Sequence, residues 1–163
     1  MHPRAAELIS TLRLQPHPEG GFYRELFRSS SVVTPDDDRG PRVALTTIYF
    51  LLPEGARSRW HQVDSDEVWH LYEGGPLELL EMEASGSPPA RHVLDRVGGT
   101  ATGPVHTVVA RRWQAARAIG GGYALVGCTV GPGFVYDDFR LLGDDEALAA
   151  AVRATWPEAA PFI

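Results

Sequence analysis

The chain has 163 residues with 15 basic and 21 acidic side chains, giving a formal net charge of −6. All of the basic residues are arginine, which excludes a Schiff-base or phosphate-loop lysine, and scattered arginines in a net-negative chain do not form the basic stripe of a nucleic-acid-binding protein. The single cysteine, Cys128, cannot form an internal disulfide or a cysteine-based zinc knuckle. The sequence has neither a membrane-length apolar stretch nor an apolar signal core, so it predicts a cytoplasmic protein with no membrane partner.

Short helices are predicted at both ends of the chain. Apolar residues recur at helical spacing over residues 3–12, and Pro3 suits the first turn of a helix. Near the other end, Asp144 is the predicted N-cap of an alanine-rich helix over residues 147–156. That helix is expected to end before Pro157, because the residue before a proline disfavours helical geometry.

Between these helices the sequence predicts short strands separated by glycine- and proline-containing turns. Phe22–Phe27 is the first predicted strand, and the polar segment Ser29–Arg42 is predicted to be an exposed loop. Nine further strands are predicted, at Val43–Leu52, Arg59–Val63, Glu67–Tyr72, Leu77–Met82, Arg91–Leu94, Val105–Val109, Trp113–Ala118, Tyr123–Val130 and Phe134–Leu141. This spacing is typical of an all-β sandwich or barrel. We expect one domain over residues 1–163, with a barrel core at about 20–142.

One segment carries a specific spacing of polar residues. Residues 55–74 read G-x5-H-x-V-x3-E-x6-G, in which the named positions include His61, Val63 and Glu67. His61 and Val63 are two residues apart and therefore face the same side of a strand. A short turn follows, and Glu67 opens the next strand, where it can return to the same side. The spacing resembles the first cupin motif, which has a second histidine at the position of Val63 and holds a divalent metal in complete cupins.

The second cupin motif is present only as a frame. Gly103 is followed at the motif spacing by Val109, Arg111, Gln114 and Ala118, where that motif has Pro, Gly, His and Asn. Gln114 therefore takes the position of the third metal-binding histidine. The hairpin at Val109–Arg111 is expected to be built differently, because family members carry a Pro-x-Gly turn there.

Over roughly residues 16–140 the chain resembles the cupin-5 family, long classed as a domain of unknown function. The resemblance rests on five strings, PHPEGGFYRE (16–25), TIYFLL (47–52), WHxxxSDEVWH (60–70), VxxxWQAA (109–116) and CTVxPGFxxxDF (128–139). It implies an all-β, double-stranded β-helix (cupin, jelly-roll-like) barrel with short terminal helices, often dimeric. The fold is also similar to that of the sugar-nucleotide epimerase group of cupins, which works without metal. The resemblance implies no particular reaction.

His61 and Glu67 are the predicted catalytic residues. His61 could serve as a general base, a metal ligand or a hydrogen-bonded structural residue. Glu67 could orient His61, transfer a proton, bind metal or form a salt bridge with an inward arginine such as Arg24. Gln114 is predicted to bind a polar ligand through its amide. No metal cofactor is expected, because an amide oxygen is a poor transition-metal ligand; a divalent metal, if bound, would be held by His61, Glu67 and Gln114.

Further ligand-binding residues are predicted around this pair. Trp69 shares the strand parity of Glu67, as does Leu71, and both are expected to wall the pocket, whereas His70 is expected on the opposite face. Arg24 and Arg59 could neutralise an anionic substrate. Tyr49 and Tyr123 could bring phenol groups into the pocket or simply pack in the core.

Three functions are compatible with these residues. The first is a metal-independent epimerase, isomerase or dehydratase that moves a proton on a small polar or carbohydrate-like molecule. The second is a non-catalytic small-molecule binder with the same pocket, and the third is a metal-dependent cupin enzyme. Val63 disfavours the third, whereas the sequence does not separate the first two. A homodimer is also expected, with Phe22, Tyr23 and Phe27 as candidates for the contact.

Overall fold

The computed structural model describes residues 1–84, 87–99 and 103–163. Its strands are β1 (Gln15–Pro16), β2 (Phe22–Arg28), β3 (Val32–Val33), β4 (Arg42–Val43), β5 (Thr46–Pro53), β6 (Arg57–Val63), β7 (Asp66–Gly74), β8 (Leu77–Met82), β9 (Ala90–Leu94), β10 (Val105–Val108), β11 (Trp113–Ala118), β12 (Tyr123–Gly131) and β13 (Phe139–Leu141). Two α-helices, α1 (Pro3–Thr11) and α2 (Glu146–Thr155), lie at the two ends. Single 3₁₀ turns occur at Tyr136–Asp138, Leu142–Asp144 and Ala160–Phe162.

Two antiparallel sheets form the body of the molecule. One has six strands in the order β1-β2-β5-β12-β7-β10, and the other has five in the order β13-β6-β11-β8-β9. Their inner faces share a core of Phe50, Leu52 and Trp69 from the six-stranded sheet with Leu77 and Leu79 from the five-stranded one. This is the double-stranded β-helix that the sequence predicts.

Each helix covers the outer face of one sheet. Ala5 and Leu8 of α1 pack with Leu51 and Leu125 of the six-stranded sheet. Helix α2 packs with Trp60 and Trp113 of the five-stranded sheet. Within the described ranges, no helix is long and apolar enough to cross a membrane.

Several predicted boundaries need correction. The N-cap of α2 is Asp145 and not Asp144, because the Asp145 carboxylate accepts the Leu148 N–H at 2.9 Å while Asp144 ends a 3₁₀ turn. In the predicted strand Phe134–Leu141, only Phe139–Leu141 is a strand. Residues before it turn too tightly to pair with a neighbouring strand.

The segment Ser29–Arg42 is not simply an exposed loop. Its Val32–Val33 pairs with Arg42–Val43 in a small two-stranded ribbon. Arg39 and Arg42 both bind the buried carboxylate of Asp138, at 3.2 and 2.8 Å. This contact is difficult to predict from the sequence, because Asp138 lies almost a hundred residues after the two arginines.

The hairpin between β10 and β11 contains Val109, Ala110 and Arg111 at the positions of the family's Pro-x-Gly turn. Arg111 takes the position of the motif glycine and adopts a left-handed backbone, with a φ of 66°. Its N–H donates to the Val63 carbonyl at 2.8 Å, and its own carbonyl accepts from Gln62 Nε2 at 2.6 Å. These two bonds offset the strain, about 1 kcal/mol, of a side-chain-bearing residue in this conformation.

The three aromatic residues proposed for a dimer contact have different surroundings in this fold. Tyr23 faces a cavity between the two sheets, which is described below, and Phe22 packs with the apolar cluster beneath α1. Phe27 is 52% exposed. The homodimer remains a prediction, for which Phe27 is the candidate with a free aromatic face.

Candidate functional site

A cavity of about 180 Å³ lies between the two sheets at the end where β2, β6 and β13 meet. Its polar groups include two imidazoles and two carboxylates, from His17, Glu19, His61 and Glu67. Three of these residues, Glu19, His61 and Glu67, are buried in the folded chain. A cluster of buried titratable groups beside an apolar wall is the usual setting of a functional site.

Strand β6 aims His61 and Val63 into the cavity, as their spacing predicts. Opposite β11 the pairing shifts between Gln114 and Ala116, so β6 carries an extra residue just before His61. This bulge places Ser58 and His61 on the inner side and turns Arg59 outward. Arg59 would share the face of His61 in a regular strand, but it lies outside the cavity.

The turn at residues 16–21 supplies the groups that face His61. Its shape depends on Gly20, which has a φ of 114° and whose added Cβ would collide with the Arg57 carbonyl oxygen. The Arg59 N–H donates to the Glu19 carbonyl at 2.8 Å, and its guanidinium donates to the Pro18 carbonyl at 2.6 Å. Arg59 therefore fixes the turn that carries Glu19.

His61 and Glu19 form the central pair of the site. His61 Nδ1 lies 2.8 Å from the Arg59 carbonyl oxygen, which can only accept, so Nδ1 carries a proton. The other ring nitrogen, Nε2, is 3.3 Å from Glu19 Oε2. Ser58 Oγ donates to Glu19 Oε1 at 2.9 Å. One backbone carbonyl thus sets the tautomer that presents the Nε2 lone pair to the carboxyl group.

Burial favours the neutral form of both members of this pair. Desolvation lowers the pKa of His61, with the nearby Glu67 opposing the shift. Desolvation also raises the pKa of Glu19, opposed by the charge of His17 and the Ser58 hydrogen bond. Both shifts favour the neutral forms, in which a protonated Glu19 carboxyl faces the Nε2 lone pair of His61.

His17 packs beside this pair as a neutral base. Its Nδ1 accepts the Glu19 N–H at 3.3 Å and lies 3.6 Å from Glu19 Oε2. Burial lowers the pKa of His17, opposed by the charge of Glu19. The His17 ring contacts Tyr23 edge-on, with ring centroids 4.5 Å apart.

Glu67 returns to the cavity on β7, but its direct partners are not histidines. Gln114 Nε2 donates to Glu67 Oε2 at 2.5 Å, and Trp69 Nε1 donates to Gln114 Oε1 at 2.9 Å. Cys128 also hydrogen-bonds Glu67, and burial raises the pKa of both the carboxyl and the thiol. Gln114 and Trp69 thus form a supporting layer behind Glu67 and do not line the cavity.

The mouth of the cavity is formed by β2 and the segment before β13. The pairing of β2 with β5 shifts between Glu25 and Phe27, so Arg28 joins Tyr23 and Glu25 on the inner side. Arg28 donates to Glu25 Oε2 at 2.7 Å and to the Phe134 carbonyl at 3.1 Å. The cation at this site is therefore Arg28.

Aromatic groups complete the wall. Phe139 stacks on His61, with ring centroids 5.5 Å apart. Partial burial and a hydrogen bond with Tyr23 raise the pKa of Tyr136 to about 12, so its hydroxyl keeps its proton. The cavity thus has an apolar wall and phenol hydrogen-bond donors at one end.

Three predicted ligand-binding residues lie elsewhere. Arg24 and Tyr49 are on the outer face of the six-stranded sheet, where the guanidinium sits 5.8 Å from the ring centroid. The Tyr123 hydroxyl donates to Glu73 at 2.8 Å in the contact with α1. Strand parity places all three on the side away from the cavity.

Glu67→Gln is expected to stabilise the protein more at pH 8 than at pH 5. The raised pKa means that the folded state holds a proton that the unfolded state releases above about pH 4.3, so the wild type loses stability as the pH rises. Glutamine keeps the size and the acceptor without the charge. We expect a gain of about 1 kcal/mol at pH 8 in urea unfolding. A difference that does not change with pH would contradict the assignment.

These features define the protein as a cupin-type barrel with an inward-facing polar site. The family described as "Cupin superfamily (DUF985)" matches residues 6–142. The chain therefore belongs to this cupin-5 family. No curated protein matches the chain.

Solved structures support the same assignment. A hypothetical protein from Leishmania major is 31% identical with a TM-score of 0.80, covering 98% of this chain and 96% of its own. A protein from Shewanella oneidensis is 30% identical with a TM-score of 0.78, covering 96% and 92%. A cupin 2 conserved barrel domain protein from Rhodopseudomonas palustris shares the fold at 17% identity, with a TM-score of 0.55 and coverage of 91% and 84%.

The residues at the cupin motif positions do not fit the metal of complete cupins. Val63 provides no donor atom, and it is 4% exposed. Both ends of the Gln114 amide are used, by Glu67 and Trp69. Only His61 Nε2 and Glu67 remain as donors in the motif frame, fewer than the three protein ligands of a typical catalytic site.

Proposed function

We propose that this protein catalyses metal-independent proton transfer on a small polar molecule, as an epimerase, isomerase or dehydratase does. The supporting observation is the buried pair of His61 Nε2 and Glu19 Oε2, 3.3 Å apart at the cavity. Its tautomer is set by the Arg59 carbonyl, and burial lowers the pKa of His61 and raises the pKa of Glu19. Because both shifts favour the neutral forms, the pair can hold one transferable proton between Nε2 and Oε2.

In the proposed reaction the pair works as one acid–base unit. The proton held between His61 Nε2 and Glu19 Oε2 can be transferred to a substrate atom that contacts the pair. The deprotonated pair can then accept a proton from the substrate. Phe139 against the ring and Ser58 on Glu19 Oε1 keep both groups in place. Glu67 lines the same cavity and, when ionised, favours the protonated form of His61.

The size and chemistry of the cavity indicate the substrate class. Its volume of about 180 Å³ is smaller than the pockets of about 300–1,000 Å³ that enclose drug-sized ligands. A monosaccharide-like or short oxo-acid substrate suits this space better than a complete sugar nucleotide. Arg28 at the mouth is the proposed partner for an anionic group, and the Tyr136 hydroxyl is a proposed donor to a carbonyl oxygen.

A deuterium-exchange assay can test this proposal before the substrate has been identified. Sugar phosphates, free sugars and small oxo acids are incubated with the protein in D₂O, with EDTA and in a parallel set without it, and mass spectrometry follows carbon-bound deuterium. Enzyme-dependent incorporation into one class of compound supports the proposal. Compounds that bind without exchanging would instead support the non-catalytic binder, and exchange that EDTA abolishes would support a metal enzyme.

A further inference from the structure

A second cluster of polar side chains lies away from the cavity, where the two sheets meet at one side of the barrel. Glu81 comes from β8, His92 from β9 and His106 from β10. Strand β9 is the outermost strand of the five-stranded sheet, and β10 is the outermost strand of the six-stranded sheet. The cluster therefore joins the free edges of both sheets.

The three side chains converge on one point. Glu81 Oε2 lies 3.0 Å from His106 Nε2 and 3.5 Å from His92 Nε2. One ligand atom from each residue lies within 4.8 Å of the others. Ligand atoms around a tetrahedral zinc, each about 2.1 Å from the ion, are roughly 3.4 Å apart, which is close to the two distances from Glu81 Oε2.

We infer that Glu81, His92 and His106 form a binding site for a divalent transition metal such as Zn²⁺, separate from the cavity. Two imidazoles and one carboxylate are the three-ligand set of many zinc sites that keep a fourth position for water. The rings of His92 and His106 are stacked, with centroids 3.9 Å apart. Because nitrogen lone pairs lie in the ring planes, the two rings would have to rotate slightly apart for both nitrogens to bind one ion.

The burial of the cluster favours this role. Glu81 is 7% exposed as a residue, while the side chains of His92 and His106 are 31% and 24% exposed. The carboxylate is thus held in position, and the imidazoles remain open to an ion from solvent. A metal here would tie β8 and β9 to β10, and so link the two sheets.

Arg112 competes with the metal for Glu81. Its Nη1 lies 3.0 Å from Glu81 Oε1, and its side chain is 38% exposed. A positive charge at this distance lowers the affinity of the site for a cation. Replacing Arg112 by a neutral residue should therefore strengthen metal binding, although an ion pair would be lost.

Titration with ZnCl₂ and CoCl₂ tests this inference in the full-length protein. Calorimetry is expected to find about one Zn²⁺ per chain, and Co²⁺ should give the visible absorption of a four- or five-coordinate site. His92→Gln and His106→Gln should each weaken binding at least about tenfold, whereas His61→Gln should leave it unchanged. Circular dichroism establishes that each variant is folded.

Arg112→Gln is expected to change the affinity for Zn²⁺ in the opposite direction. It should tighten Zn²⁺ binding several-fold, a gain that loss of folding cannot imitate. The inference is overturned if the wild type binds neither ion, or if His61→Gln abolishes binding while His92→Gln does not. Failure of this test leaves the proton-transfer proposal intact, because the deuterium assay contains EDTA.

Discussion

His61→Gln is expected to slow enzyme-dependent deuterium exchange by about 10³-fold, within the range for loss of a general acid or base. Glutamine has nearly the length of histidine and can still hydrogen-bond Glu19 and the Arg59 carbonyl. It cannot exchange a proton near neutral pH, so the geometry would be kept and the chemistry lost. Exchange rates measured by mass spectrometry on the compound found in the screen give the ratio directly.

His70→Gln is the matched control for this substitution. His70 lies three residues after Glu67 on β7, and its ring stacks near Tyr72 with centroids 6.4 Å apart. Because it faces away from the cavity, its replacement should leave the exchange rate nearly unchanged. If the two variants retained equal activity, His61 would not belong to the acid–base unit.

Asp138→Ala is expected to destabilise the folded protein by about 3 kcal/mol. The Asp138 side chain is 4% exposed and accepts two hydrogen bonds from Arg42, at 2.9 and 2.8 Å. Arg39 adds a third at 3.2 Å. Removing the carboxylate takes from the poorly hydrated Arg42 its bound carboxylate, leaves Arg39 with Asp37 as its carboxylate partner, and frees the segment Ser29–Arg42. Urea unfolding monitored by tryptophan fluorescence measures the loss.

Asp37→Ala provides a comparison within the same network. Asp37 also binds Arg39, at 2.9 Å, but its side chain is 27% exposed and Arg39 keeps Asp138. Its replacement should lower the unfolding free energy far less than that of Asp138. Equal losses for the two variants would show that burial of Asp138 does not set its contribution.

The sequence carried most of the information about the strands. Period-two alternation and regular turns are local properties, so β8 and β11 occur at the residues predicted. The same alternation correctly placed His61 and Glu67 on the inner side of their strands. Errors occurred at element boundaries, because the N-cap of α2 is one residue later than predicted, at Asp145, and the last strand begins five residues later, at Phe139.

The partners of His61 were harder to predict, because they depend on contacts distant in sequence. Glu19 lies in the turn at residues 16–21, for which the sequence predicted no functional residue. Its segment PHPEGG nevertheless belongs to one of the strings on which the family resemblance rests. Two adjacent glycines after a carboxylate and a histidine could have indicated a tightly packed turn carrying functional groups.

Bulges in two strands explain why the arginine that lines the cavity is not one of the predicted arginines. A bulge in β6 turns Arg59 outward, and one in β2 brings Arg28 inward while Arg24 stays on the outer face. Bulges change which side chains face a cavity without altering the hydrophobic pattern enough to be recognised in one sequence. Arg28 lines the cavity, whereas Arg24 and Arg59, the two predicted cations, lie outside it.

The state of the His61 ring tests the central claim most directly. Long-range ¹⁵N–¹H NMR on the wild type at pH 6, with His61→Gln to assign the signals, reports which ring nitrogen is protonated. We predict a neutral ring with its proton on Nδ1 and an unprotonated, hydrogen-bonded Nε2 facing Glu19. A ring protonated on both nitrogens, or on Nε2 alone, would contradict the shared-proton pair.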